Sequence, residues 1–318
     1  EYTGKRHYLI VELDLNDKRY INPVEKCGYG MDAQWIDEFH HALRVTATGE
    51  QVGYYSDFNG IEHLAKAYGD AYVYDGQYSP HRKRKFGVKT NNQGKQFIVF
   101  SQNHDQVGNR MLGERSSALL SFEMQKLMAA AVMVSPYLPM LFMGEEWSET
   151  SPFLYFVSLT DKELAEAVRK GRQEEFAAFH FEGEAPDPLA EESFLRSKLQ
   201  WDLAEQGKHK DIFEYYKALI RLRKANPVLK QPTRKNLEVS FDKQQSTLLL
   251  KRWNNEQQLV CFMNFSADKR TIEYEGSLCK KIFDSSKADP GEPQELATQS
   301  SNQVSIQPQS ILIYSSHV

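Results

Sequence analysis

Cysteine is nearly missing from these 318 residues, with Cys27, Cys261 and Cys279 making up the whole complement. Their odd number, wide separation and lack of a CxxC pair exclude a disulfide framework and a thiolate zinc site, and they fit a reducing cytoplasm. No apolar run approaches the ~20 residues that a membrane helix needs, and the opening EYTGKRHYL has no signal-type apolar segment. Charge of one sign is lacking too. A formal net charge of -4 gives no electrostatic footing for nucleic acid or an anionic membrane surface. The one dense basic run, His81 to Lys85, reads as a solvated loop. Repeats of solenoid period, low-complexity tracts, phosphate-cradling glycine loops and nucleophile elbows are all absent.

What is present is the composition of a globular protein, 41% hydrophobic and 26% charged, long enough for one large domain and one smaller one. Its first part repeats one grammar. The apolar run Tyr8 to Val11 stops at Glu12. Met31 to Trp35 is short and extended, and Ile36 to Thr46 carries helical spacing. A further helical segment spans Ile61 to Tyr68. Phe97 to Phe100 is a buried strand that stops at Asn103, His104 and Asp105. Ser117 to Val134 reads as one buried helix closed by Ser135-Pro136, and Pro139 to Met143 as a fourth strand ending at Glu145-Glu146. Strand, polar end and helix, repeated, predict a parallel α/β sheet or barrel.

A charged, helix-prone insertion between Pro152 and Trp201, with a helix over Asp161 to Phe176, is expected to form a lid or rim. Asp211 is expected to cap a helix ending at Asn226-Pro227. From Val228 onward, short alternating segments (Ser246 to Trp253, Leu259 to Phe265, Thr271 to Tyr274, Ser310 to Tyr314) predict an antiparallel sandwich. The expected division is therefore 1–227 for the α/β domain and 228–318 for the β domain.

The chemistry concentrates at strand ends. In a parallel barrel the loops leaving the carboxyl ends of the strands converge on the active site. Glu12 and Asp105 end two such strands, and two carboxylates suit glycoside hydrolysis, one as proton donor and the other stabilising positive charge in the transition state. Partial burial among carboxylates would hold the Glu12 proton. Trp35, Tyr29 and Phe39 could form a sugar-stacking wall or simply belong to the core. His40 and His41 are adjacent, point to different faces of a helix and cannot share a metal. Neither a metal nor a cofactor is expected.

Three stretches, ELDLND, NHDQVGNR and LPMLFMGEEW, resemble those of the alpha-amylase superfamily of glycoside hydrolases. GYGMDAQWIDEFHHAL, TGEQVGYYSDF and SPFLYFVSLTDKELAEAVRKGRQEEF are similar, more narrowly, to the malto-oligosyltrehalose trehalohydrolase family. The resemblance implies the carboxyl-terminal half of a (β/α)8 TIM barrel, strands five to eight, followed by the β domain. It implies retaining hydrolysis of the α-1,4 bond beside the trehalose end of maltooligosyl trehalose, with Glu12 as general acid/base and Asp105 as the transition-state-stabilising aspartate. His104, Asn103, Asp32, Trp35, Tyr29 and Arg110 are the expected substrate contacts. Where the family pattern reads like AESD, this chain has Val11-Glu12-Leu13-Asp14. The family's nucleophile motif, of GFRLDA type, does not occur in the sequence. The expectation is then a portion of an enzyme, inactive alone, completed by the amino-terminal half of the barrel or covered by self-association. The alternatives are a non-catalytic carbohydrate-binding or interaction fragment, or another superfamily enzyme such as a branching enzyme.

Overall fold

The computed structural model describes residues 4–178, 185–292, 294–295 and 303–317. Along the chain the strands are β1 (Ile10–Val11), β2 (Ala33–Trp35), β3 (Tyr78–Ser79), β4 (Arg84–Lys85), β5 (Phe97–Val99) and β6 (Leu138–Pro139), then β7 (Leu237–Asp242), β8 (Thr247–Trp253), β9 (Gln257–Asn264), β10 (Arg270–Glu273), β11 (Lys280–Asp284), β12 (Gln294–Glu295), β13 (Gln303–Ile306) and β14 (Ser310–His317). The helices are α1 (Asp37–Thr48), α2 (Ile61–Asp70), α3 (His104–Gly108), α4 (Ser116–Leu119), α5 (Phe122–Met133), α6 (Lys162–Ala178), α7 (Glu191–Arg196), α8 (Gly207–Ala225) and α9 (Pro227–Lys230).

The chain forms two compact units. One holds the residues up to Ser101, Lys126–Met140 and the residues from Ala218; the other holds Gln102–Gln125 and Leu141–Lys217. In the first unit β1, β2, β5 and β6 make a four-stranded sheet in that order, every pair parallel. Among the described residues its outer strands each pair on one side only. Tyr8, Leu9 and Ile10 along the β1 edge are 63%, 59% and 51% exposed. At β5 the sheet is apolar, with Phe97, Val99 and Phe100 fully buried, while the buried Gln34 of β2 donates to the Leu15 carbonyl and accepts from the Tyr72 hydroxyl.

The antiparallel region contains a six-stranded sheet of order β12-β11-β14-β9-β8-β7 and a two-stranded sheet of β10 and β13. Val260, Phe262, Val304, Ile306, Leu312 and Tyr314 form its core cluster. Strand β9 is apolar on successive residues rather than on alternate ones, because both its faces are covered. Val260 and Phe262 enter that cluster, while Met263 on the other face meets the Tyr68 hydroxyl of α2 at 3.9 Å.

Local structure departs from the sequence expectation at three places. The single helix expected over Ser117 to Val134 is broken into α4 and α5. The Ser121 hydroxyl accepts the Met124 N–H and restarts the helix, a capping role that the apolar periodicity hides. Helix α8 begins at Gly207, so Asp211 is not its cap. That helix ends at Ala225, at Asn226-Pro227 as expected, and Asn226 also caps the short α9, its side chain accepting from Val228 and Leu229 N–H with Pro227 at the first helical position. Finally, β6 is only two residues long, and Leu141 to Met143 lie outside it.

Candidate active site

In the first unit, Glu12 follows the carboxyl end of β1 and is exposed, which corrects the expectation of partial burial. Trp35 closes β2, its ring set edge-on to Phe100 with centroids 5.7 Å apart. Beside it lies a cavity of ≈ 40 Å³ lined by Leu13, Asp14, Trp35, His41, Tyr54 and Arg82 among others. Phe39 is not part of this wall. It is fully buried, edge-on to Tyr68 at 5.2 Å and to Tyr137 at 6.3 Å, and belongs to the core.

The loop after Glu12 is tied down from a distance in sequence. Arg82 Nη2 donates to the Asp14 carboxylate at 2.9 Å and to its carbonyl at 3.3 Å, while the guanidinium lies 4.0 Å from the Phe86 ring centroid. The basic run that read as a solvated loop therefore contains an anchoring arginine. Behind it, the buried Glu38 carboxylate accepts the N–H groups of Val73 and Tyr74 at 2.6 and 3.0 Å, and desolvation pushes its carboxyl up to about 7. Asp57 accepts the His81 N–H at 2.8 Å and the Ser79 hydroxyl.

His40 is structural, whereas His41 lines the cavity beside Trp35. His40 Nδ1 donates to the Ser101 carbonyl at 2.7 Å, and Nε2 accepts from the Tyr55 hydroxyl at 2.9 Å. Burial pulls the His40 imidazole down to about 3, so it is neutral and its tautomer is fixed by these partners. The bond to Ser101 fixes the chain two residues ahead of Asn103.

Asp32 and Tyr29 both precede β2. The Asp32 carboxylate accepts the Leu9 N–H at 2.9 Å and lies 3.7 Å from Arg6, so its observed work is to hold β1 in register with β2 at the amino end of the sheet. Tyr29 is 60% exposed and packs on Tyr20, ring centroids 5.2 Å apart.

In the second unit, Asn103 caps α3 through a reciprocal capping box. Its Oδ1 accepts from Asp105 and Gln106 N–H at 2.9 and 3.3 Å, and Gln106 Oε1 accepts the Asn103 N–H at 2.9 Å. Asn103 is thereby committed to the helix, while His104 and Asp105 are exposed on its first turn, His104 Nε2 lying 3.4 Å from Asp105 Oδ1. Arg110 Nε lies 3.6 Å from Glu114 Oε2.

Sequence reasoning missed the carboxylate that organises this unit. Glu149 is fully buried and accepts N–H donors from Thr150, Ser151 and Gln200 at 2.8, 2.8 and 2.7 Å and from the Trp147 indole at 3.1 Å. These hydrogen bonds outweigh desolvation and leave its pKa lowered. No periodicity marks it, because its partners come from 50 residues downstream as well as from its own turn.

Comparison with known proteins gives a consistent set of matches. No family model matches the chain. It is 46% identical over 217 residues to the malto-oligosyltrehalose trehalohydrolase of Saccharolobus solfataricus, covering 68% of this chain and 37% of that protein. The enzyme of the same description from Rhizobium sp. strain M-11 is 38% identical over 278 residues, 86% of this chain and 46% of that one. Among solved structures, a candidate alpha-amylase from Salmonella typhimurium superposes with a TM-score of 0.76 at 33% identity, over 90% of this chain and 47% of that one. The chain spans less than half the length of these curated relatives.

Proposed function

The chain is a homologue of malto-oligosyltrehalose trehalohydrolases, with structural neighbours among the alpha-amylases, and from that premise we propose that it is part of a glycoside hydrolase releasing trehalose from maltooligosyl trehalose. In this reading β1, β2, β5 and β6 are strands five to eight of a (β/α)8 barrel, which ends near Pro227, and the antiparallel region is the β domain that follows. The four strands run parallel and in sequence order, as consecutive barrel strands do.

Glu12 is the general acid/base and Asp105 the carboxylate that stabilises the oxocarbenium-like transition state. Both follow the carboxyl ends of parallel strands, and that position is the observation on which the assignment rests. His104 and Arg110 contact the sugar from the loop after β5, Trp35 at the end of β2 offers an aromatic face, and Asn103 holds the turn that carries His104 and Asp105, whereas Asp32 and Tyr29, expected as substrate contacts, precede β2 at the opposite end of the sheet and have no part in the site. The nucleophile of the retaining mechanism comes from outside this chain, as does the strand that pairs with β1.

Product analysis tests the reading. The intact protein that carries this chain, given maltooligosyl trehalose, should release trehalose with retained anomeric configuration. Products made of maltooligosaccharides or new branch points alone would overturn it in favour of another superfamily activity.

A further inference from the structure

Helix α3 has five residues, too few to persist without support at both ends, because one turn cannot repay the cost of nucleation. Its amino end is held by the Asn103 capping box. Its carboxyl end leaves carbonyl groups without intrahelical partners, and one of them, that of Gly108, is met from the insertion. Arg172, on α6, donates from Nη2 to the Gly108 carbonyl at 2.7 Å and from Nη1 to Asn109 Oδ1 at 3.3 Å. Its guanidinium carbon stands 4.7 Å from the ring centroid of Tyr155, which adds a stacked contact to the fork.

The segment that follows is pinned to the start of the same insertion. Phe153 N–H donates to the Gly113 carbonyl at 2.8 Å, and Arg115 donates to Ser151 and Met143 carbonyls at 2.8 and 2.7 Å. Gly113 has φ +60, and a Cβ there would stand 2.6 Å from the Phe153 carbonyl carbon, so the two backbones lie against each other.

We propose that Arg172 is a positioning residue for Asp105, bracing the carboxyl end of α3 so that the aspartate on its first turn is presented at a fixed angle. The inference rests on the assignment of Asp105 given above. It makes the insertion helix part of the catalytic scaffold, coupling a segment more than 60 residues away to the orientation of one carboxylate.

The test uses the intact protein that carries this chain, with maltooligosyl trehalose as substrate, and the variants Asp105→Asn, Arg172→Gln and Arg172→Lys. Arg172→Gln should lower kcat by about 10- to 100-fold, the scale on which small misplacements act, with KM changed by less than about twofold. Arg172→Lys should recover part of the loss, since a point charge still reaches the Gly108 carbonyl but cannot reproduce the fork. Amide hydrogen exchange at residues 105–110 should quicken in Arg172→Gln while the β-domain amides stay unchanged.

An unchanged kcat together with unchanged exchange would overturn the proposal. So would a rise in KM with kcat intact, which would make Arg172 a substrate contact, or a uniform rise in exchange, which would make it a general stabiliser. Full turnover in Asp105→Asn would instead remove the parent assignment, and the exchange data would still show separately whether Arg172 holds α3.

Discussion

Arg223 and Arg252 donate to one and the same carbonyl oxygen, that of Ser135, at 3.1 and 3.0 Å. Arg252 also reaches the carbonyls of Val134, Val228 and Gln231 at 2.9, 3.2 and 2.7 Å, and Arg223 those of Met133 and Tyr137. Both guanidinium groups are pulled down to about 10 by burial, and they remain cations at neutral pH. The carbonyls of Met133, Val134 and Ser135 leave the end of α5, where intrahelical donors run out, while that of Val228 belongs to α9 and that of Gln231 follows it.

The first expectation concerns this knot. Replacing Arg252 with Met keeps most of the volume but takes a donor from four carbonyls, of which Ser135 keeps Arg223 and Gln231 keeps the Thr233 N–H, so unfolding free energy should fall by about 2–5 kcal/mol. Denaturant titration measures it. A loss below about 0.5 kcal/mol would mean that water replaces the arginine without penalty.

Catalysis supplies the second. Glu12→Gln in the intact protein should cut kcat by about 10²- to 10⁴-fold while KM stays close to its starting value, because only proton transfer is removed. Full turnover would exclude Glu12 as the acid. A crystal structure of the intact protein placing the Glu12 and Asp105 carboxylates more than ~12 Å apart, beyond the spacing of glycosidase pairs, would exclude their acting on one bond.

The third is that the 318 residues alone release no trehalose. A retaining site needs a nucleophile roughly 5 to 5.5 Å from the acid, and the sequence has no GFRLDA-type segment. The exposed Tyr8, Leu9 and Ile10 along β1 should also drive self-association of the purified chain. Sedimentation together with a trehalose assay checks both at once. Hydrolysis above background would point to Asp14, in the loop after Glu12, as a substitute nucleophile, and a clean monomer would show the β1 edge to be harmless.

Acid sensitivity is the fourth. His40 is neutral in the folded protein down to about pH 3, whereas in the unfolded chain it takes up a proton near its ordinary 6.5. Its contribution is therefore intact above pH 6.5 and declines as pH falls, by about 1.4 kcal/mol per pH unit over that window. His41, also lowered by burial, acts with the same sign. Thermal unfolding of His40→Gln should fall less between pH 7 and 5 than that of the parent. Parallel curves would show that His40 is not the titrating group.

Much of this was legible in the chain and some was not, for physical reasons that differ by residue. Glu12, His104 and Asp105 stand out because polar groups abruptly end apolar runs, a local signal. The helix at Ile61 announces itself by period, and the strands β8, β9 and β14 by short apolar runs between polar turns. Glu149, Arg82, Arg172 and Arg252 do not, since what defines each is a set of donors or carbonyls tens of residues away. Phe39 and Trp35 look alike in sequence, four residues apart, yet one is core and the other lines a cavity; the turn of α1 decides, and composition does not.

The strand order carries a consequence for synthesis. β14, residues 310–317, lies between β11 and β9, in the interior of the six-stranded sheet. As the polypeptide leaves the ribosome, β9 therefore waits with its inner edge open for some fifty residues of elongation, a few seconds at about 5–20 residues per second. During that wait an apolar run, Leu259 to Met263, is available to any other nascent chain on the same message. A premature stop ahead of residue 310 would make this state permanent, leaving a gap in the middle of the sheet where a shortened edge would have been tolerated.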